Sequence, residues 1–118
     1  MPWLNEGAKG YKESLALYRR IIELSLPPGW IHYGQLLRAT ASVVANIAEE
    51  IGRFYGRPSD DAVRFSTLAR GSLHEVGAFL DIAVIDGLVS NEQADSLKQE
   101  CIELSEMLFM FIRKQKEH

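Results

Sequence analysis

Three short runs of helix-breaking residues divide the chain into four segments, and this division limits the fold more than any other feature. The runs are Leu26-Pro27-Pro28-Gly29, Gly56-Arg57-Pro58-Ser59 and Asp86-Gly87-Leu88-Val89-Ser90. Proline disfavours helix in the residue before it, and glycine commonly follows the last residue of a helix. Each run therefore predicts a connection between two helices, which are expected at roughly 6–25, 31–55, 59–86 and 91–114.

Apolar residues recur in these segments at steps of three and four, as they do in a helix that buries one face. The expected buried rows are Ala8, Tyr11, Leu15, Tyr18, Ile22 and Ser25 in the first segment, and Ala94, Leu97, Cys101, Leu104, Leu108 and Phe111 in the fourth. The third segment carries two rows, Phe65, Leu68, Ser72, Val76, Phe79 and Ala83, and Ala62, Ala69, Leu73, Leu80 and Val84. Four helices joined by short connectors predict an all-α fold, an antiparallel up-down-up-down four-helix bundle in which residues 1–118 form a single domain.

The second segment carries more apolar surface than one neighbouring helix pair requires. Its two apolar rows are Leu36, Thr40, Val43, Ile47, Ile51 and Phe54, and Leu37, Ala41, Val44, Ala48, Ile51 and Tyr55. A polar row of Gln35, Arg38, Ser42, Asn46, Glu49 and Arg53 follows the same spacing. The two apolar rows predict burial on more than one side, so that the second row is either an interface with another chain or part of a broad core. The polar row must face water or be paired inside, because buried polar groups without partners are costly.

Composition excludes several classes of protein. Of the 118 residues, 47% are hydrophobic and 25% are charged, which is typical of a soluble globular domain and not of a disordered chain. The net charge of −3 and the pI of about 5.6 disfavour a dedicated nucleic-acid binder. The single Cys101 indicates a reducing compartment, and the sequence lacks both an export signal and a membrane-length apolar stretch. We therefore expect a cytoplasmic protein without membrane contact.

Two sequence blocks, at 35–53 and 64–75, identify a resemblance. The residues that carry it are Gln35, Leu36, Arg38, Ala39, Ser42, Asn46, Ile47, Ala48, Glu49, Gly52, Arg53, Arg64, Phe65, Ala69, Arg70, Gly71, Ser72 and Glu75. In these residues the chain resembles the bacterial four-helix-bundle proteins encoded by intervening sequences within 23S ribosomal RNA genes. Leu37, Glu50 and Val63 depart from the family pattern, and Leu37 replaces one of a pair of arginines.

The resemblance implies a homopentamer around a central channel and no settled activity. A distant branch with a similar fold, the accessory variability determinant of diversity-generating retroelements, is a basic pentamer that binds nucleic acid. The acidic balance of the present chain disfavours that role. The preferred hypothesis is a non-enzymatic homo-oligomer, a pentamer, of unknown molecular role.

The residues of the two blocks also supply the candidate site. An inter-helix or inter-subunit polar network is predicted for Gln35, Arg38, Ser42, Asn46, Glu49, Arg53, Arg64, Arg70 and Glu75, and the alternative is a ligand or partner site made by the same residues. In an antiparallel pair of helices, Glu49 and Arg53 are expected beside Arg64. Ser42 or Asn46 is expected within reach of Arg70 or His74.

A second hypothesis is weak, salt-sensitive binding of RNA or of the ribosome by a small arginine patch. Its residues are Arg38, Arg53, Arg57, Arg64 and Arg70. An enzyme is disfavoured, because no catalytic motif is present and the residues three and four positions from His74 cannot bind a metal. No catalytic residue, cofactor or metal is predicted.

Overall fold

Four helices make up the protein, as the computed structural model describes it for residues 10–54 and 59–117. They are α1 (Tyr11–Glu23), α2 (Tyr33–Phe54), α3 (Asp60–Ile85) and α4 (Asn91–Lys116). The predicted all-α class and the number of helices are therefore confirmed. The first four residues of the predicted helix 6–25, and also Tyr55 and Arg57, lie outside the described residues. None of the described helices combines the length and apolar character that crossing a membrane requires.

Local chemistry explains where the helices begin and end. Ser90 and Gln93 form the predicted capping box at the start of α4, in which each side chain accepts a hydrogen bond from the other residue's backbone N–H, at 3.0 and 2.9 Å. At the end of α3, Gly87 adopts a φ of 75°, and the N–H of Leu88 donates to the carbonyl of Ala83 at 2.9 Å. A positive φ costs glycine little, so this residue allows the chain to turn tightly into α4.

Contacts between helices establish an antiparallel order. Pairs between α3 and α4 join Asp81 to Lys98 and Arg70 to Ser105, so the residue numbers fall on one helix as they rise on the other. The contacts of α2 with α3 run the same way, from Ser42–Ser72 to Arg53–Asp61. α1 packs against α2 and α4, and α3 also packs against both. α1 and α3 are therefore diagonal neighbours in a bundle of four.

The hydrophobic core runs through all four helices. Its most deeply buried large side chains include Leu17, Ile21, Leu36, Ile47, Leu73, Leu80 and Leu97. Cys101 also belongs to this core, at 6% exposure. In α4 the predicted row is buried from Ala94 to Leu108, as expected. In α3 the second predicted row is the more deeply buried one, and Leu68 of the first row is 46% exposed.

The buried face of α1 differs from the predicted one. Ser14, Leu17 and Ile21 are buried, whereas Leu15 is 42% and Ile22 is 44% exposed. The predicted core-facing row of α1 is therefore wrong by one helical position. Two rows in α1 satisfy the same spacing. The buried row contains a serine, a polar residue, so the sequence pattern favoured the other row. The Ser14 hydroxyl donates to a backbone carbonyl three residues earlier at 2.7 Å, so it can be buried without an unpaired donor.

Candidate functional site

The centre of the polar row on α2 is a small hydrogen-bonded cluster between α2 and α3. Asn46 donates through its side-chain amide to the backbone carbonyl of Ser42 at 2.9 Å and to the Ser42 hydroxyl at 3.0 Å. The Ser72 hydroxyl on α3 donates to the Ser42 hydroxyl at 3.0 Å. The partner of Ser42 across the helix pair is thus Ser72, and neither Arg70 nor His74 takes that position. Each helix contributes a small polar group, which suits close packing of the two helices.

Charged residues of the same row lie nearer the end of α2 and are exposed. Arg53 lies 3.4 Å from the carboxylate of Glu49 and 3.5 Å from that of Asp61. The guanidinium carbons of Arg53 and Arg64 lie 5.4 and 4.6 Å from the centre of the Phe65 ring. Arg53 and Arg64 therefore share one aromatic ring, while the carboxylates pair with Arg53. Exposed ion pairs of this kind contribute little, typically below about 1 kcal/mol each.

Arg70 points to the other side of α3. Its Nε donates to the Ser105 hydroxyl on α4 at 3.0 Å, and its guanidinium carbon lies 4.9 Å from the centre of the Phe109 ring. Arg70 follows the buried Ala69, and one residue turns a helix by about 100°, which brings its side chain to α4. The residues predicted as one network are therefore divided between two sides of α3.

Three further residues predicted for the network lie at the surface. Gln35, Arg38 and Glu75 are exposed, and none of them makes a hydrogen bond to another described side chain. Of the arginines predicted to contact nucleic acid, Arg38, Arg53 and Arg64 are exposed on the α2–α3 side of the bundle, whereas Arg70 is half-buried against α4. The fifth, predicted at position 57, lies outside the described residues.

Histidine and the acidic residues form no metal-binding cluster within residues 10–54 and 59–117, where no three His, Cys, Asp or Glu side chains come together. His74 is exposed on α3. His32 packs between two aromatic rings, with ring centres 5.4 Å from Trp30 and 5.8 Å from Phe79. The His32 ring thus contributes to packing beside the first connector.

Glu50 is the functional candidate that the sequence reasoning missed. Its side chain is 5% exposed and faces the core from α2. Burial raises the pKa of the Glu50 carboxyl from 4.5 to about 7. The Ser66 hydroxyl on α3 faces this carboxyl without making a hydrogen bond of standard geometry. Its interaction with the carboxylate lowers the pKa and offsets only part of the rise that burial causes. The spacing gave a signal, since Glu50 follows Val43 by seven residues and Ile47 by three and thus continues the core row.

A cavity of about 720 Å³ lies beside Glu50, between the C-terminal parts of α2 and α4. Its wall is mainly apolar and includes two aromatic rings, Phe54 and Phe111, whose centres are 5.2 Å apart. The remaining lining residues are Ile51, Met107, Leu108, Met110, Arg113, Lys114, Gln115 and Glu117. An apolar cavity of this size with one buried carboxyl has the general character of a small-molecule site.

Apolar residues of α1 and α2 that are exposed or half-buried form a strip, here called the α1–α2 face. It consists of Tyr11, Leu15, Tyr18 and Ile22 on α1 with Leu37, Ala41, Val44 and Ala48 on α2, and all eight are exposed or half-buried. Arg20, one residue before the buried Ile21, contacts Glu100 on α4. Residues one position before and one position after a buried residue lie on opposite sides of a helix. Because Arg20 faces α4, the residues that follow the buried positions of α1 lie on the α2 side.

The same geometry places the α2 part of this strip. Ser42, one residue before the buried Val43, contacts α3, so Val44 and its row turn toward α1. On the opposite side of the bundle, Ile102 is 52% and Phe109 is 42% exposed on α4, next to α3. These two residues define the α3–α4 face. The bundle thus presents apolar surface on two opposite sides.

Comparison with known proteins agrees with this architecture. A crystal structure from Bacteroides thetaiotaomicron VPI-5482, a protein of unknown function from the S23 ribosomal protein family, superposes on the chain with a TM-score of 0.78. The two chains are 20% identical, and the match covers 88% of this chain and 95% of the other, so the likeness concerns the fold. No curated protein matches the chain. The family model of the 23S rRNA-intervening sequence protein matches residues 6–110, and the chain therefore belongs to that family.

Proposed function

We propose that this chain is a non-enzymatic structural protein that assembles into a closed homo-oligomeric ring of five copies. The observation that carries the proposal is the presence of two apolar faces on opposite sides of the bundle. Leu15 and Ile22 on the α1–α2 face, and Ile102 and Phe109 on the α3–α4 face, each leave over two-fifths of their surface exposed. Large apolar side chains grouped in this way are typical of surfaces that pack against another protein.

Opposite faces favour a head-to-tail arrangement. In a symmetric dimer the same patch of both copies meets, whereas in a ring one patch of each copy meets a different patch of the next copy. The α1–α2 face of one copy would pack on the α3–α4 face of its neighbour, and rotation between neighbours would close the ring. Five subunits is the number that the family resemblance implies. The polar residues that are paired within the α2–α3 helix pair support a structural role for the chain.

One substitution on each face tests the ring. We expect Leu15→Glu and Ile102→Glu each to prevent ring closure, because each places a charge at a contact between neighbours. Light scattering on a sizing column should give five times the 13.3 kDa chain mass for the unaltered protein and a lower mass for each variant. An equimolar mixture of the two variants keeps one intact pair of complementary faces. It should therefore form a heterodimer that neither variant forms alone.

The control is Ile85→Glu at the last residue of α3. Ile85 is 82% exposed and belongs to neither face, so this variant should keep the mass of the unaltered protein. Circular dichroism should show that all three variants remain helical. A stable monomer of the unaltered chain at micromolar concentration would refute assembly. If each substitution alone prevents assembly but the equimolar mixture of the two variants also stays monomeric, the head-to-tail arrangement is refuted.

Binding of RNA is the second candidate, and one observation favours it. Arg53 and Arg64 both lie against the half-buried ring of Phe65, and an aromatic ring beside two cations suits contact with bases and phosphates. The carboxylates of Glu49 and Asp61 oppose it, because they lie within 3.5 Å of Arg53. The expected affinity is therefore low and should fall steeply as salt is added.

Fluorescence anisotropy with a structured fragment of ribosomal RNA can measure this affinity. If RNA binds on the α2–α3 side, a variant carrying both Arg38→Glu and Arg64→Glu should lose the binding. Arg70→Glu is the matched control, because Arg70 faces α4 and should leave the affinity within about twofold. Absence of binding at about 50 mM salt would eliminate this second function.

A further inference from the structure

The cavity beside Glu50 lies beyond the point where α1 begins, at Tyr11. α1 has 13 residues, whereas α2 has 22 and α4 has 26. α1 begins after Gly10, which lies against Ile47 on α2 and Leu104 on α4. Beyond these two residues α2 continues for about two more turns and α4 for about three. The cavity occupies this stretch, with its wall formed by α2 and α4.

The cavity wall holds a buried carboxyl group and one buried acceptor without a donor. Glu50, a residue that is 5% exposed, brings the carboxyl group. Gln115 on α4 is 9% exposed, and its side-chain oxygen is buried without a hydrogen-bond partner among the described residues. A buried acceptor without a donor costs about 1–3 kcal/mol, and more if it is charged. A ligand that brings N–H groups to this wall would remove part of that cost.

We propose that the cavity binds an apolar organic amine, whose ammonium group is held by the Glu50 carboxylate and whose apolar body lies against Phe54 and Phe111. The volume of about 720 Å³ lies within the range of ligand pockets, about 300–1,000 Å³. The flexible side chains of Met107 and Met110, which line the cavity beside the two rings, can adapt to different apolar bodies. The unpaired oxygen of Gln115 offers a second acceptor in the cavity wall.

Charged groups at the rim of the cavity could favour a ligand of the opposite kind, an anion. Arg113 and Lys114 are exposed on α4 and would favour an anion, whereas Glu117, exposed just after the end of α4, would favour a cation. From α3 the group that faces Glu50 is the uncharged Ser66. Exposed charges are screened over roughly 8–10 Å at physiological salt, while the buried carboxylate is screened much less. Glu50 is therefore expected to determine which charge the ligand carries.

Three probes with the same ring distinguish these possibilities: phenethylamine, phenethyl alcohol and phenylacetate. Isothermal titration calorimetry at about pH 8 should show the amine binding at least about tenfold more tightly than the alcohol, because a charge-assisted hydrogen bond forms with Glu50. The preference for the amine should decrease at about pH 5.5, where the carboxyl takes up a proton. The affinity of the alcohol should change little between the two pH values.

Glu50→Gln should abolish the preference for the amine while leaving the apolar wall intact. Glu49→Gln is the matched control, because Glu49 is the adjacent residue, is exposed and pairs with Arg53 outside the cavity. It should retain the preference. Equal affinities for amine and alcohol, tighter binding of phenylacetate, or no binding of any probe at millimolar concentration would each overturn the proposal.

Discussion

Replacing Ile21 with alanine should lower the free energy of unfolding by about 3 kcal/mol. Ile21 is 1% exposed and packs in the core where α1 meets the other helices. Removing its three outer carbons loses the free energy of their burial and leaves a cavity that the surrounding side chains fill only in part. Urea denaturation followed by circular dichroism measures this change. The loss should be the same at every protein concentration, because the residue acts within one copy.

The neighbouring residue provides the matched control for this substitution. Ile22 is chemically identical to Ile21 but is 44% exposed on the α1–α2 face. Ile22→Ala should cost less than about 1 kcal/mol in dilute protein, and its effect should grow with concentration if the face is buried in a ring. Equal losses for Ile21→Ala and Ile22→Ala in dilute protein would contradict the burial of α1 described above.

Replacing Glu50 with glutamine should raise the free energy of unfolding by about 3 kcal/mol at about pH 8 and change it little at about pH 4. The pKa of Glu50 is about 7 in the folded chain, against an ordinary value of 4.5. The folded state therefore binds the proton more tightly than the unfolded state does. Stability associated with this group is complete below pH 4.5 and is lost as the pH rises to about 7. Glutamine keeps the shape of the side chain and cannot ionise.

Denaturation of both proteins across this pH range gives the difference directly, since other titrating groups affect both equally. Glu49→Gln should differ from the unaltered protein by less than about 0.5 kcal/mol at each pH, because Glu49 is exposed. A constant difference between Glu50→Gln and the unaltered protein from about pH 4 to 8 would show that Glu50 ionises in the folded chain as it does in water.

The helices could be predicted from sequence because their limits depend on local chemistry. Proline, glycine and the Ser90–Gln93 box act on the residues next to them, so their effects can be derived without the rest of the fold. The buried side of α1 could not be derived in this way. Both candidate rows have helical spacing, and the choice between them depends on where α2 and α4 lie. Ser14 is buried although serine is usually exposed, because it is small and its hydroxyl donates a hydrogen bond to a backbone carbonyl of its own helix.

The candidate site was predictable in part for a similar reason. Contact between α2 and α3 near Ser42 follows from an antiparallel pair, and the structure places Ser72 there. Whether the Arg70 side chain faces α2 or α4 depends on a rotation of one residue about the axis of α3. Spacing along the sequence does not distinguish these two directions. Glu50 was overlooked because a carboxylate is usually exposed, although its position continues a buried row. Polar residues at core positions are thus the ones for which sequence reasoning needs the three-dimensional neighbours.

The buried cysteine of α4 has a consequence for the chemistry of the bundle. Burial, with a smaller contribution from the adjacent charge of Glu100, raises the pKa of the Cys101 thiol to about 11. Because the thiolate is the reactive form, Cys101 is nearly inert toward oxidants and alkylating reagents while it stays in the core. Only molecules in which α4 has moved away from its neighbours expose the thiol. The rate of its alkylation therefore reports how often the unaltered bundle opens, without any label or substitution.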